Sequence, residues 1–197
     1  MKIFLIPLLT ALFALPAYAE DEKEIKQEET PVTKWIAAEE RFLDSLPLEN
    51  RQVYMVLRNK HDVIRTVRVV IKEIDNAQKL CAKENEEIRD EITTRFKEWK
   101  KSVKPILDEA ESFLATELKE QKAFYRTDYS HLIKLNDKAY EYSNERIVKK
   151  PVTTLEACQK LLNSMNKSED QLVDLLQTTL LPEEVVRTRL RREGKGS

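Results

Sequence analysis

Residues 53–81 read VYMVLRNKHDVIRTVRVVIKEIDNAQKLC, and the spacing of their apolar positions decides the fold class. Steps of four and three residues place one set of side chains on a single face of an α-helix. Lys60 and Gln78 interrupt an otherwise apolar series, which consists of Val53, Leu57, Ile64, Val67, Ile71, Ile74 and Cys81. The spacing therefore predicts a helix from about Pro47 to Lys83 that packs against other helices.

A second series with the same spacing follows directly. Asn85 can cap a helix whose first turn is acidic, and the apolar face of this helix consists of Ile92, Phe96, Trp99, Val103, Ile106, Ala110 and Phe113. We expect this helix to continue to about Phe124. Pro105 lies inside it and predicts a kink or a division into two helices, because proline lacks an amide hydrogen and crowds the preceding turn.

Three further helices are predicted on either side of this pair. A short helix begins with Thr30 as cap and Pro31 in its first position, and it ends near Ser45. Thr127 starts another helix that runs to about Val148, with an apolar face of Tyr129, Leu132, Ala139 and Ile147. The last helix opens at Thr153–Glu156, a capping-box pattern, and ends near Leu180.

The predicted fold class is all-α: an elongated up-down bundle of four main helices plus the short N-terminal helix. Short connections make consecutive helices antiparallel neighbours. The second and third helices are each roughly 55–60 Å long and the fourth roughly 33 Å, from the rise per residue. We therefore expect the long pair either to protrude as an arm or to break and fold back.

The two cysteines, Cys81 and Cys158, are expected to form one structural disulfide. In an up-down bundle, the end of the second helix and the start of the last helix lie at the same end of the molecule. A pair of buried free thiols and a redox couple are the less favoured alternatives, and the chain has no Cys-x-x-Cys pattern that a redox couple usually needs. An even cysteine count favours a bridge in an oxidising compartment.

The N-terminus predicts export. Residues 1–19 resemble a cleaved signal peptide, with Lys2, an apolar run and small residues at Ala17 and Ala19. The alternative is an uncleaved N-terminal anchor. We predict cleavage after Ala19 and a periplasmic location, with a disordered acidic leader over 20–30, a bundle domain over 31–181 and a basic flexible tail over 182–197.

Composition excludes several classes of function. The only glycines are Gly194 and Gly196, so the body of the chain has none for a phosphate-binding loop, a dinucleotide fingerprint or a nucleophile elbow. Without residues 1–19 the chain carries 33 basic and 35 acidic residues. This near balance does not predict nucleic-acid binding.

Catalytic and cofactor sites find little support. His61 and His131 are the only histidines, and neither belongs to a visible triad or c-type haem motif. Asp128 and His131 share a helical face, but a di-iron bundle needs paired Glu-x-x-His motifs. We therefore predict no catalytic residue, no metal site and no cofactor, with b-type haem as an open alternative.

Three surfaces are candidates for binding. Arg58, His61 and Arg65 form a possible polar cluster that binds an anion, unless they are simply a half-exposed basic edge. Phe124, Tyr125 and Tyr129 form a possible aromatic contact patch. The lysine-rich segment 95–104 is a candidate for contact with a membrane surface. The alternative is that it forms only the solvated face of its helix.

These features favour a non-enzymatic protein with a binding, chaperone-like or adaptor role in the cell envelope. Its partner is then an envelope protein or a second copy of the chain. The alternative hypothesis is a carrier of a small ligand or cofactor, such as haem, a metal or a lipid, with its site in the bundle core.

Overall fold

The computed structural model describes residues 29–192, which form six α-helices and one 3₁₀ turn and contain no strand. The helices are α1 Pro31–Ser45, α2 Leu48–Glu84, α3 Arg89–Glu120, α4 Arg126–Glu145, α5 Leu155–Leu180 and α6 Glu183–Arg192. The 3₁₀ turn, Glu86–Ile88, joins α2 to α3. The all-α fold class is confirmed, whereas the predicted signal peptide and nearly all of the predicted leader lie outside the described residues.

The predicted start of α1 is confirmed in detail. The Thr30 side chain accepts a hydrogen bond from the Thr33 amide at 3.2 Å, and the Thr33 hydroxyl oxygen accepts one from the Thr30 amide at 2.9 Å. Two amides that would otherwise lack a partner are satisfied in this way. Pro31 occupies the first turn, where its missing amide hydrogen costs nothing.

The long helices α2 and α3 form an antiparallel hairpin that supplies most of the core. We call the end with Leu48 and Glu120 the lower end and the end with Glu84 and Arg89 the upper end. Eight apolar side chains of α3 are buried, six predicted from its spacing and also Leu107 and Leu114: Ile92, Phe96, Trp99, Val103, Ile106, Leu107, Ala110 and Leu114. The apolar face of α3 is thus wider than the predicted series.

Pro105 does not divide the third helix, because α3 is continuous through it. Proline at this position removes one backbone hydrogen bond of the helix. Its neighbours Val103, Ile106 and Leu107 are buried, so their packing holds the helix across the missing bond. The Pro105 ring itself is exposed to solvent, where it displaces no core side chain.

The other helices cover the hairpin in two separate zones. At the lower end, α1 packs on α4 and touches α2, where the Tyr54 hydroxyl donates to Glu39 at 2.8 Å. At the upper end, α5 packs on α3 and α2, with Arg95 bound to Glu169. The expected protruding arm is therefore absent from the described residues, because each half of the hairpin has its own cover.

The ends of α4 and α5 differ from the prediction. Helix α4 begins after Tyr125 without a side-chain cap and ends at Glu145, so Ile147 and Val148 lie in the following loop and are exposed. Helix α5 is capped by Thr154, whose hydroxyl oxygen accepts from the Ala157 amide at 3.3 Å. The reciprocal bond from Glu156 is lost, because the cap falls one residue later than predicted.

The predicted disulfide is present between Cys81 and Cys158, whose Cα atoms are 5.7 Å apart. Both cysteines are fully buried. Close by, the side-chain amide of Asn85 donates to the carbonyls of Cys81 at 3.2 Å and Thr153 at 3.0 Å. The upper end of α2 is thereby tied both to the start of α5 and to the loop before it.

The C-terminal segment differs from the predicted flexible tail, because Glu183–Arg192 form helix α6. Two acids stand in its first turn, where they favour a helix through its dipole. Arg189 of α6 pairs with Glu109 of α3, and Val185 and Val186 pack against the core. Among the described helices, none combines the length and apolar character that a membrane crossing requires.

Candidate functional site

A groove lies between α3 and α4, with α2 as its floor. It has a volume of about 630 Å³. Its apolar part is formed by Ile64 and Val69 of α2 and by Leu114, Ala115 and Leu118 of α3. We call it the α3–α4 groove. It exists because α3 and α4 both contact α2, through Arg68–Glu111 and Arg65–Asp137, whereas α3 and α4 are not among the main helix–helix contacts.

The rim of the α3–α4 groove carries both signs of charge. Arg65 donates to Asp137 at 2.9 Å, Arg68 pairs with Glu111, and Lys149 pairs with Glu73 at 2.8 Å just beyond the rim. The pairs link α2 to α4, to α3 and to the loop after α4. The groove therefore combines an apolar floor with a rim whose positive and negative side chains nearly balance.

The predicted cluster of Arg58, His61 and Arg65 is brought together, but carboxylates of the chain itself already occupy it. Arg58 lies 3.4 Å from Glu39, and Arg65 donates to Asp62 at 2.8 Å as well as to Asp137. His61 stands between the two aspartates, at 3.7 and 3.9 Å. The cluster thus joins α1, α2 and α4, and its guanidinium groups are engaged without an external anion.

Asp62 is the central acceptor of this cluster. It accepts a hydrogen bond from the Asn136 amide at 2.8 Å in addition to that from Arg65. Burial raises the pKa of Asp62, but its interaction with His61, the charges of Arg65 and Arg58 and the Asn136 hydrogen bond together outweigh burial and hold the pKa below its usual value. The charged form of Asp62 is therefore favoured by folding.

This gives a prediction for acid stability. A carboxyl whose pKa is lowered in the folded state stabilises the protein fully above its unfolded value, here 3.8, and loses that contribution as the pH falls through the folded pKa. We expect Asp62→Asn to lower the free energy of unfolding at pH 7 by roughly 1–3 kcal/mol, since Arg65 and Asn136 lose an acceptor. We also expect a smaller further loss below pH 3.8 than in the unmodified protein.

Urea unfolding at pH 7, 4 and 3 would measure both effects. If Asp62→Asn has the same dependence on pH as the unmodified chain, the assignment of acid sensitivity to Asp62 is wrong. Asp75 and Glu169 also have lowered pKa values, so the variant keeps part of the acid sensitivity.

The predicted aromatic contact patch of Phe124, Tyr125 and Tyr129 does not form one exposed surface. Tyr129 is buried and its hydroxyl donates to the Leu57 carbonyl at 3.1 Å. Phe124 stacks on Tyr129, with ring centroids 5.9 Å apart, and faces Phe42 at 6.0 Å. Only Tyr125 is open, with 80% of its surface exposed. The rings instead form an aromatic core where α1, α2 and α4 meet.

Burial also explains the titration of the two core tyrosines. It raises the pKa of Tyr54 and of Tyr129 well above the ordinary value of 10.0. The Glu39 carboxylate, which accepts a hydrogen bond from Tyr54, raises the pKa of that residue further. Both hydroxyls therefore remain protonated donors, which makes them structural links rather than acids or bases near neutral pH.

The sequence prediction did not identify the α3–α4 groove. Its α3 wall uses Leu114 and Leu118 together with Ala115, which lie outside the predicted apolar series of that helix. Leu114 lies four residues after Ala110 and Leu118 four residues after Leu114. This spacing was the available signal, because it widens the apolar face of α3 towards one side. Within residues 29–192, no group of three or more His, Cys, Asp or Glu side chains is placed to hold a metal ion.

Comparison of the chain with known protein families, with curated proteins and with solved structures finds no match.

Proposed function

We propose that this chain is an exported, periplasmic and non-enzymatic protein that binds a helical segment of an envelope protein in the α3–α4 groove. The observation that carries the proposal is the groove itself, with its apolar floor and its rim of both charges. An amphipathic helix laid with its apolar face into such a groove is a common mode of protein recognition. The role is that of a chaperone-like or adaptor protein.

The dimensions of the groove fit this occupant. Its α2 floor runs from His61 to Glu73, about 18 Å along the helix axis, which matches roughly three turns of a bound helix. The lining of the groove comes from α2, α3 and α4, so no other described helix fills the gap between α3 and α4. A bound helix would fill the gap and complete the packing of the lower half.

Two features support the proposed compartment. The pattern of residues 1–19 is that of a cleaved signal peptide. The Cys81–Cys158 disulfide is typical of proteins that work in oxidising compartments such as the periplasm. The proposal therefore includes cleavage after Ala19 and folding of the mature chain outside the cytoplasm.

A second candidate function is a carrier of a small amphiphile such as a lipid. The volume of the α3–α4 groove, about 630 Å³, falls within the range of ligand pockets. Its floor is apolar and Lys72 and Arg68 line it, so an acyl chain with a polar head would match. This site lies at the surface between helices, unlike the core site expected from the sequence.

Blocking the groove tests the proposed function. Ala115 is exposed and lines the groove, so Ala115→Trp should fill it without disturbing the core. We expect the variant to bind an 18-residue helical peptide, with leucine on one face and equal numbers of lysine and glutamate on the other, at least about tenfold more weakly. Fluorescence anisotropy of the labelled peptide would measure this.

The matched control is Thr116→Trp, because Thr116 is the next residue of α3, is exposed and does not line the α3–α4 groove. Protein for the assay would come from the periplasmic fraction of cells that make the full chain, and a mass beginning at Glu20 is expected. Failure of the peptide to bind, or an equal loss in both variants, would contradict the proposed function. If a fluorescent fatty acid binds the unmodified protein and Thr116→Trp but not Ala115→Trp, the result would favour the lipid carrier.

A further inference from the structure

A second apolar groove lies at the lower end of the α2–α3 hairpin and shares no lining residue with the α3–α4 groove. It has a volume of about 590 Å³, and its floor is formed by Val53, Val56 and Leu57 of α2. Val53 is 37% exposed and Val56 is 54% exposed. We call this surface the valine groove. Leu48, 74% exposed, lies one to two turns before these valines on the same helix.

The valine groove is open because the cover of the hairpin ends above it. The apolar series of α2 begins at Val53, which is exposed, whereas Leu57 and Ile64 further along the same series are buried. Helix α5 covers the upper part of the hairpin, and α6 meets α3 at Glu109. No described helix packs over Val53 and Val56, so an apolar face of α2 remains unpartnered.

Acidic side chains stand on both walls of the valine groove. Glu49 lies on the α2 wall, and Glu117 and Glu120 lie on the α3 wall. Lys60 neutralises Glu117 through two hydrogen bonds of 2.6 and 2.8 Å. Glu49 and Glu120 have no ion-pair partner among residues 29–192. The groove is therefore an apolar floor between two walls of net negative charge.

This charge selects among the possible occupants. A second copy of the chain that docked through the same face would bring two surfaces of net negative charge together, and like charges at an interface are unfavourable. An anionic lipid surface would be repelled for the same reason. A helix that carries lysine or arginine beside an apolar stripe would instead bury Val53 and Val56 and place its cations against both walls.

We propose that the valine groove is a docking site for a cationic amphipathic helix of another protein. This site is separate from the α3–α4 groove and does not depend on the function proposed for it. Because the attraction involves exposed charges, binding should weaken as the salt concentration rises. Two grooves without a common residue would allow this chain to hold two partners at once.

The test compares two labelled 18-residue helical peptides with the same leucine face, one with lysine and one with glutamate on the polar face. We expect the lysine peptide to bind the mature protein at least about tenfold more tightly than the glutamate peptide. Val56→Trp, which fills the groove, should abolish this preference. The double variant Glu49→Lys/Glu120→Lys should reverse it, in favour of the glutamate peptide.

Thr66→Trp is the matched control, because Thr66 is an exposed residue of α2 that lines neither groove. The proposal is wrong if both peptides bind equally, or if Val56→Trp and the charge reversal leave binding unchanged. Weaker binding of the lysine peptide to Ala115→Trp but not to Val56→Trp would place it in the α3–α4 groove. Dimerisation that Val56→Trp abolishes, seen by analytical ultracentrifugation, would identify a second copy as the occupant instead.

Discussion

Replacing Cys81 with serine is expected to lower the free energy of unfolding by roughly 2–5 kcal/mol. The disulfide joins residues 77 positions apart, so it removes a large amount of conformational freedom from the unfolded chain. For a loop of this length the chain-entropy model predicts about 4.5 kcal/mol. The bond also holds the start of α5 against the upper end of α2, where the two cysteines are fully buried.

The measurement is urea unfolding of the Cys81→Ser, Cys158→Ser and double variants, without reductant. All three lose the same bond, so their free energies of unfolding should agree closely. Differences in free energy of unfolding between the single and double variants would come from the unpaired buried thiol, not from loss of the cross-link. A double variant as stable as the unmodified protein would show that the disulfide contributes nothing to stability. In that case helix packing alone would hold α5 in place.

Trp99→Ala is expected to cost roughly 3–5 kcal/mol, as large-to-small changes of buried aromatic residues do. Trp99 is 1% exposed and its ring is stacked near Phe96, with centroids 6.4 Å apart. Helix α3 packs on both α2 and α5, so a cavity at this position would weaken the contact that holds the upper half together.

Trp99→Phe is the matched control and should cost distinctly less than Trp99→Ala. The indole Nε1 of Trp99 is buried and has no hydrogen-bond partner among the described residues, so phenylalanine removes an unsatisfied donor while it keeps an aromatic ring. Thermal and urea unfolding would compare the two variants. Similar losses for both would mean that the ring size, rather than a general aromatic filling of the core, is what the site requires.

Much of the fold follows from local spacing. The alternating steps of three and four residues predict α2 and α3, and the start of α1 at Thr30–Pro31 is confirmed down to its cap. The disulfide follows from chain order, because a bundle of antiparallel helices places the end of α2 beside the start of α5. Pro105 does not divide α3, since the buried residues around it outweigh the loss of one backbone hydrogen bond.

The candidate binding sites depend more on tertiary structure than the helices do. Phe124, Tyr125 and Tyr129 are close in the sequence, yet two of them pack into the core and one is exposed. Arg58, His61 and Arg65 are recognisable as a basic set, but Asp137 and Glu39, which neutralise it, come from other helices. No spacing within a single helix can reveal such partners.

The sequence by itself determined helices α1 to α5, their order and direction, and the cysteine pairing. These properties depend on neighbours within a few residues or on the order of the elements along the chain. Only the tertiary structure decided that α1 and α4 cover one half of the hairpin and α5 the other, and hence that two grooves remain open. That choice depends on which apolar faces bury the most surface together, a property of the whole assembly of helices.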